Sequence, residues 1–314
     1  MTLRGLSSED LELLMAIQYE FPISETPFID LAQKLDLKPD EIITKLRDFK
    51  DRGLIKRIGA NLNYKAIGFI KRACLIAFAC RDEDVPRIAK TINESFPDIN
   101  LKHNYLRDHD IYKVWFTVKD ESVEKIVEKV KRVARVCGVK DYLILPSKRV
   151  YKMDVKYNLY KGISWSYGFE KEPEEVECEI IPLLLNLQDI PIEERPFKFE
   201  GYSELEVVDV INEMLKKGVF RDFYGVLRER AIGFNENGMN IVKTDEPERI
   251  ARKLLRFPQI THLVEREAPE RWNYPLYFMV HADRREKIES FRREVAEDLN
   301  IEIKTLYSRA NLKG

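Results

Sequence analysis

Histidine is the scarcest of the catalytically useful residues here: four in 314. Cysteine is equally rare, and Cys74, Cys80, Cys137 and Cys178 show no C-x-x-C spacing. That pattern excludes a cysteine-framed zinc site or a disulfide scaffold and reads as reduced thiols, mostly in apolar strands of a cytoplasmic protein. No apolar run approaches the ~20 residues of a membrane span, and MTLRGLSSEDLELL lacks the apolar core of a signal peptide. Charge of one sign is missing as well. Lys and Arg number 53 against 54 Asp and Glu, so no global basic field advertises a nucleic acid. The chain is long enough for two domains, each with its own core.

All four histidines fall in two related stretches. FPDINLKHNYLRDHDIYKVWFTVK (96–119) holds His103 and His109, and FPQITHLVEREAPERWNYPLYFMVHA (257–282) holds His262 and His281. Both open Phe-Pro, carry His-x-x-x-Arg (His103/Arg107 and His262/Arg266) and run into an aromatic strand. The His-x5-His spacing lacks a third ligand, which argues against a protein-held metal.

The repetition extends over the whole chain. EFPISETPF (20–28) returns as DIPIEERPF (189–197), KPDEIITKLRDFKDRGLIKR (38–57) as SELEVVDVINEMLKKGVFRD (203–222), and AIGF at 66–69 and 231–234. Helical spacing places helices at 8–20, 28–35 and 39–52, with a strand after Gly53; three helices and a strand make a winged helix-turn-helix. Strand, helix, two strands, helix and strand follow at 70–80, 82–96, about 101–119, 121–136 and 139–146, a ferredoxin-like βαββαβ unit. The predicted organisation is α+β, a tandem repeat: winged helix-turn-helix at 1–60, ferredoxin-like domain at 61–158, connector at 159–178, second helix-turn-helix at 179–225 and second ferredoxin-like domain at 226–314. Alternation of Tyr151, Met153, Val155 and Tyr157 predicts an extra strand near the connector.

A DNA-reading helix offers cations or amides at its start. Here the starts are Pro39-Asp40-Glu41 and Ser203-Glu204-Leu205-Glu206, whose carboxylates repel phosphate.

Helix-turn-helix followed by βαββαβ resembles the Lrp/AsnC type of regulator. HNYLRDHDIYKVWFT and THLVEREAPERWNYPLYFMVHA resemble the two subunits of siroheme decarboxylase, as LPSKRVYKMDVKY and LYSRANLKG resemble their tails. The second copy departs from the usual pattern at His262-Leu263-Val264 and Asn273-Tyr274-Pro275. The resemblance implies loss of CO2 from the C12 and C18 acetates of siroheme to give 12,18-didecarboxysiroheme, a step in an alternative heme route. It implies no cofactor beyond the substrate's own iron, siroheme as the partner, no nucleic acid and no membrane, and leaves a homodimer open. The alternatives are an Lrp/AsnC-type transcription regulator and a heme or siroheme sensor without turnover.

A tetrapyrrole with eight carboxylates asks for Arg or Lys forks and aromatic walls. Candidate substrate-binding residues are Lys56, Arg57, Tyr105, Arg107, His109, Lys113 and Trp115 in copy one, and Arg221, Arg266, Arg271 and Trp272 in copy two. His103 and His262 are the catalytic candidates. Each is suited to protonate the carbon left by CO2, and one of them to ligate the siroheme iron.

Overall fold

The computed structural model describes residues 5–68, 72–97 and 100–313. Residues 70 and 71 of the predicted strand, and Asp98 and Ile99 of the first repeated stretch, lie outside them. The chain forms two compact units that interleave along the sequence, 1–69 with 154–235 and 70–153 with 236–314. The predicted domain boundaries therefore change: the connector belongs to the first unit, and both ferredoxin-like copies make up the second.

In the first unit, α1 (Ser8–Tyr19), α2 (Pro27–Lys34), α3 (Pro39–Asp51) and β1 (Ile55–Leu62) form the predicted winged helix-turn-helix. Ser7 and Asp10 close a capping box on α1, and Pro39 opens α3 where a missing N–H costs nothing. The second copy is reduced. It keeps α6 (Ile181–Asn186), α7 (Glu204–Lys216) and β8 (Phe220–Leu227), with no counterpart of α2. The second copy is shorter there. Pro27-Phe28 matches Pro196-Phe197 at an offset of 169, whereas Gly53 matches Gly218 at 165, so four residues, about one helical turn, are missing between them. What remains passes through Gly201 at φ 83°, a left-handed turn. β1 and β8 pair antiparallel over a shared apolar core. The connector contributes a small hairpin, β6 (Tyr157–Asn158) with β7 (Ile163–Ser164).

The second unit holds β2 (Arg72–Ala79), α4 (Val85–Ser95), β3 (Leu101–Arg107), β4 (Tyr112–Asp120), α5 (Val123–Cys137) and β5 (Tyr142–Met153). Its second copy comprises β9 (Glu236–Lys243), α8 (Pro247–Leu254), β10 (His262–Arg266), β11 (Leu276–Ala282), α9 (Arg285–Leu299) and β12 (Glu302–Asn311). Its strands run β10-β5-β2-β4-β3-β12-β9-β11, and β11 returns to β10, so the sheet closes on itself with every pair antiparallel. Closure removes both sheet edges.

Closure depends on the last strand of each copy running longer than expected. β5 does not stop at Pro146. Cys74 opposite Pro146 is the last pairing with β2, and Ser147 opposite Arg266 opens the pairing with β10. The expected extra strand through Tyr151 and Met153 is this continuation. β12 does the same, leaving β9 after Tyr307 and meeting β3 with Ser308 opposite Arg107. Proline suits the switch, because it has no N–H to leave unpaired there.

Side-chain alternation sorts the two faces. Cys74, Ile76, Phe78, Val114, Phe116 and Val118 pack outward under α4 and α5, whereas Leu75, Ala77, Trp115, Leu145, Ile241, Tyr277 and Leu306 form a separate inner cluster. Cys74 and Cys137 are buried, Cys80 is half-buried and Cys178 is exposed. Of the four only Cys74 lies within a strand: Cys80 directly follows β2, Cys137 ends α5 and Cys178 opens a 3-10 turn.

Candidate functional site

The inner face of the closed sheet gathers both His-x-x-x-Arg motifs. His103 pairs opposite Thr117 and Tyr105 opposite Trp115, and alternation puts Arg107 on the same face. In copy two His262 pairs opposite Met279 and Val264 opposite Tyr277, with Arg266 following. Residues that face each other across a ladder point to one side of the sheet. Periodicity of two thus turns a spacing of four into a histidine and an arginine on a common face.

The two arginines occupy equivalent corners. Arg107 donates from Nη1 to the Leu306 carbonyl at 2.8 Å and lies 5.3 Å above the Tyr105 ring. Arg266 donates from Nη1 to the Leu145 carbonyl at 3.1 Å and to Ser147 Oγ at 3.0 Å, and lies 5.3 Å above the Tyr277 ring. Each guanidinium thus caps a carbonyl two residues before the point where the long strand changes partner. Arg266 has no carboxylate partner among the described residues, and its Nε is shut off from solvent without a hydrogen bond. Burial pulls its pKa down to about 10, so it still carries its charge at neutral pH. A half-buried guanidinium without a carboxylate partner among the described residues is a costly arrangement that a ligand carboxylate relieves.

The histidines differ in setting. His103 is exposed and stacks on Tyr105 with ring centroids 5.8 Å apart. His262 is half-buried with Nδ1 3.0 Å from Thr261 Oγ1. His109 sits in the β3–β4 hairpin among Tyr112, Trp115 and Trp272, at centroid separations of 5.5, 6.5 and 5.7 Å. Its Nδ1 accepts from the backbone N–H groups of Ile111 and Tyr112 at 3.1 and 3.0 Å, so its proton resides on Nε2. Burial pushes the imidazole below its ordinary value of 6.5. A folded-state pKa below the unfolded one means that the neutral ring's contribution to stability is complete above about pH 6.5 and is lost as pH falls through the lowered value. Acidification below pH 6.5 is therefore expected to loosen this hairpin and change the emission of Trp115 and Trp272. His109→Asn, which keeps an acceptor near the Nδ1 position, is expected to flatten that step in a fluorescence titration. An identical titration in both proteins would mean that His109 does not control it.

Several other candidates are committed elsewhere. Lys56 is exposed, and Arg57 donates to the carbonyls of Ala60 and Gln188 within the first unit. Arg221 makes a two-pronged ion pair with Glu170, also in the first unit. Lys113 pairs with Asp82 at 2.8 Å, and Arg271 ties its loop to Asp141 and the Tyr142 carbonyl, both at 2.6 Å. Trp115 and Trp272 are core residues whose Nε1 groups are taken by the Tyr112 carbonyl and by the Tyr277 hydroxyl. Arg57, Lys113, Trp115, Arg221, Arg271 and Trp272 thus each have a partner within the fold. A surface hollow of about 670 Å³ lined by Lys148, Arg149, Glu246, Glu248, Arg252 and Glu265, among others, contains none of the histidines.

The sequence reading did not single out Asn237, which lies between Arg107 and His281. Arg107 Nη2 lies 3.5 Å from Asn237 Oδ1, and Asn237 Nδ2 lies 3.5 Å from His281 Nδ1. Nothing in the sequence flags an asparagine at a strand start; only the register Asn237 opposite His281 does. The described residues contain no cluster of three or more His, Cys, Asp or Glu able to hold a metal ion, and no helix long and apolar enough to cross a membrane. At the helix starts, Glu41 and Glu206 act as capping-box acceptors for Lys38 and Ser203 N–H, at 3.5 and 2.7 Å.

Comparison with known proteins accords with this geometry. An AsnC-like ligand binding domain matches residues 66–152 and 231–313, and a siroheme decarboxylase NirDL-like HTH domain matches residues 10–56. A siroheme decarboxylase from Hydrogenobacter thermophilus is 25% identical, over 93% of this chain and 89% of its own length. The siroheme decarboxylase beta subunit of Methanosarcina barkeri is 36% identical, over 40% of this chain and 88% of its own length. The crystal structure of the siroheme decarboxylase NirDL in complex with an iron-uroporphyrin III analogue matches with a TM-score of 0.62 at 23% identity, over 98% of this chain and 92% of that one. This chain, with two AsnC-like copies in tandem on one polypeptide, belongs to the siroheme decarboxylase family of carboxy-lyases.

Proposed function

We propose that the protein removes CO2 from the C12 and C18 acetates of siroheme to give 12,18-didecarboxysiroheme, on the inner face of its second unit. The observation that carries this reading is the duplicated histidine–arginine pair at equivalent register positions on that face. Arg107 and Arg266 each hold a carboxylate, and Tyr105 offers a ring edge to the macrocycle. When the bond between an acetate methylene and its carboxylate carbon breaks, the electron pair passes into the conjugated ring. A proton from His103 or His262 then completes the methyl group. Each acetate thereby exchanges CO2 for H, which needs no oxidant and no cofactor beyond the macrocycle and its own iron. In this reading one of the two histidines also ligates that iron. Both halves of the motif lie on one polypeptide, so this reading needs no second copy of the protein. Carboxylates at the starts of α3 and α7 disfavour the DNA-reading alternative.

The decisive experiment is anaerobic incubation of the purified protein with siroheme, followed by mass analysis of the pigment. Two successive losses of CO2 are expected. Unchanged mass with a shifted absorption spectrum would make the protein a siroheme binder without turnover, and absence of binding would overturn the reading.

A further inference from the structure

The two long strands carry a serine at equivalent places. Ser147 of β5 stands opposite Arg266 and Ser308 of β12 opposite Arg107. Each lies two residues beyond a leucine of the inner cluster, Leu145 or Leu306, so alternation puts both hydroxyls on the inner face. Ser147 shows what a hydroxyl in this position reaches, since its Oγ accepts from Arg266 Nη1 at 3.0 Å. Ser308 Oγ is shut off from solvent yet has no hydrogen-bond partner among the described residues. A buried hydroxyl is rarely left so, because its bonds to water have been given up without replacement. A ligand group at the Arg107 corner supplies the missing partner. A hydroxyl donates there, and beside a guanidinium the fitting acceptor is a carboxylate.

Position along the strand says which carboxylate. An acetate whose methylene takes its proton from His103 has its carboxylate within a bond or two of that imidazole. Tyr105 stands between His103 and the corner along β3, its ring centroid 5.8 Å from that of His103 and 5.3 Å from the Arg107 guanidinium. A departing carboxylate also loses its charge as CO2 forms. A donor bound to it stabilises the starting material more than the transition state and slows the step. We infer that Ser308 is a substrate-binding residue whose hydroxyl donates, beside Arg107, to a carboxylate that the pigment keeps. The inference rests on the function proposed above for the identity of the ligand. Ser308 thus contributes grip and orientation equally before and after CO2 is lost.

The melting temperature of the ligand-free protein is the first readout. Ser308→Ala is expected to melt no lower than wild type, because the hydroxyl it removes has no partner among the described residues. A clear drop would reveal an internal partner and overturn the inference. Anaerobic titration with siroheme and with 12,18-didecarboxysiroheme is the second. Ser308→Ala is expected to bind both pigments about tenfold to a hundredfold more weakly than wild type, and by the same factor, as loss of a hydrogen bond to a charged group implies. Ser308→Thr keeps the hydroxyl on a residue that suits a strand, and is expected to stay within about threefold of wild type. Loss confined to siroheme would put the hydroxyl on a carboxylate that departs. Unchanged binding, or threonine as weak as alanine, would take Ser308 out of the site. Each of these overturns the inference. Wild type that binds neither pigment would sink the function proposed above and the inference with it, whereas wild type that binds beside an unaffected alanine variant sinks the role of Ser308 alone.

Discussion

Siroheme incubated with the His262→Ala variant is expected to lose one CO2 readily and then stall. The same is expected of His103→Ala, and the double variant should scarcely begin. Symmetry is the ground for this. Each copy supplies one histidine two register steps from the position of its arginine on the inner face, opposite Thr117 in one and Met279 in the other. If each serves one acetate, removing one leaves the other half intact. General acid help is worth about 10²–10⁴ in rate, so the unserved step should slow by that factor and the mono-decarboxylated pigment should accumulate. The measurement is a time course of pigment masses. A variant that blocks both losses while the other blocks neither would assign the chemistry to one copy and make the second a scaffold. Two fully active single variants would remove both histidines from the mechanism.

How far the sequence led is best seen at particular residues. The elements were legible because each is written in its own period: Leu75 and Ala77 alternate with Ile76 and Phe78, and α5 repeats Ile126, Val130 and Val133. Closure of the sheet was not, because it is a long-range pairing. Pro146 looks like an end, and only the structure shows the strand passing it to find Arg266. The missing second helix was legible in retrospect from the change of offset, but a repeat invites the assumption that each copy is complete. Of the cations, local sequence could not tell Arg266, which meets no carboxylate among the described residues, from Arg221, whose partner Glu170 is 51 residues away. Burial and pairing are set by tertiary contacts, so local sequence could not rank the candidate cations or point to Asn237 beside Arg107.

Arg266→Met is expected to make the ligand-free protein more stable and to disable it as a siroheme binder. The ring of Tyr277, the Leu145 carbonyl and Ser147 hold the guanidinium, but no carboxylate among the described residues neutralises it, and burial has already lowered its pKa to about 10. Replacing buried ion pairs by apolar side chains of similar volume is often neutral or stabilising by ~1–4 kcal/mol, and a half-buried guanidinium that no carboxylate among the described residues neutralises carries the same kind of desolvation cost. Two hydrogen bonds worth ~1 kcal/mol each are lost with it, so the net gain belongs at the lower end of that range. Binding moves the other way. Truncating one member of a buried charge pair costs ~2–5 kcal/mol, which is roughly thirtyfold to several thousandfold in affinity. Arg266→Lys keeps the charge and loses the planar fork, and should fall between the two. Thermal unfolding with and without siroheme measures both quantities at once: a higher melting temperature for the methionine variant alone, and the loss of the upward shift that siroheme gives the wild type. A methionine variant that is less stable yet binds normally would show that Arg266 is a strap on the Leu145 carbonyl where the strand changes partner, with no part in holding the substrate.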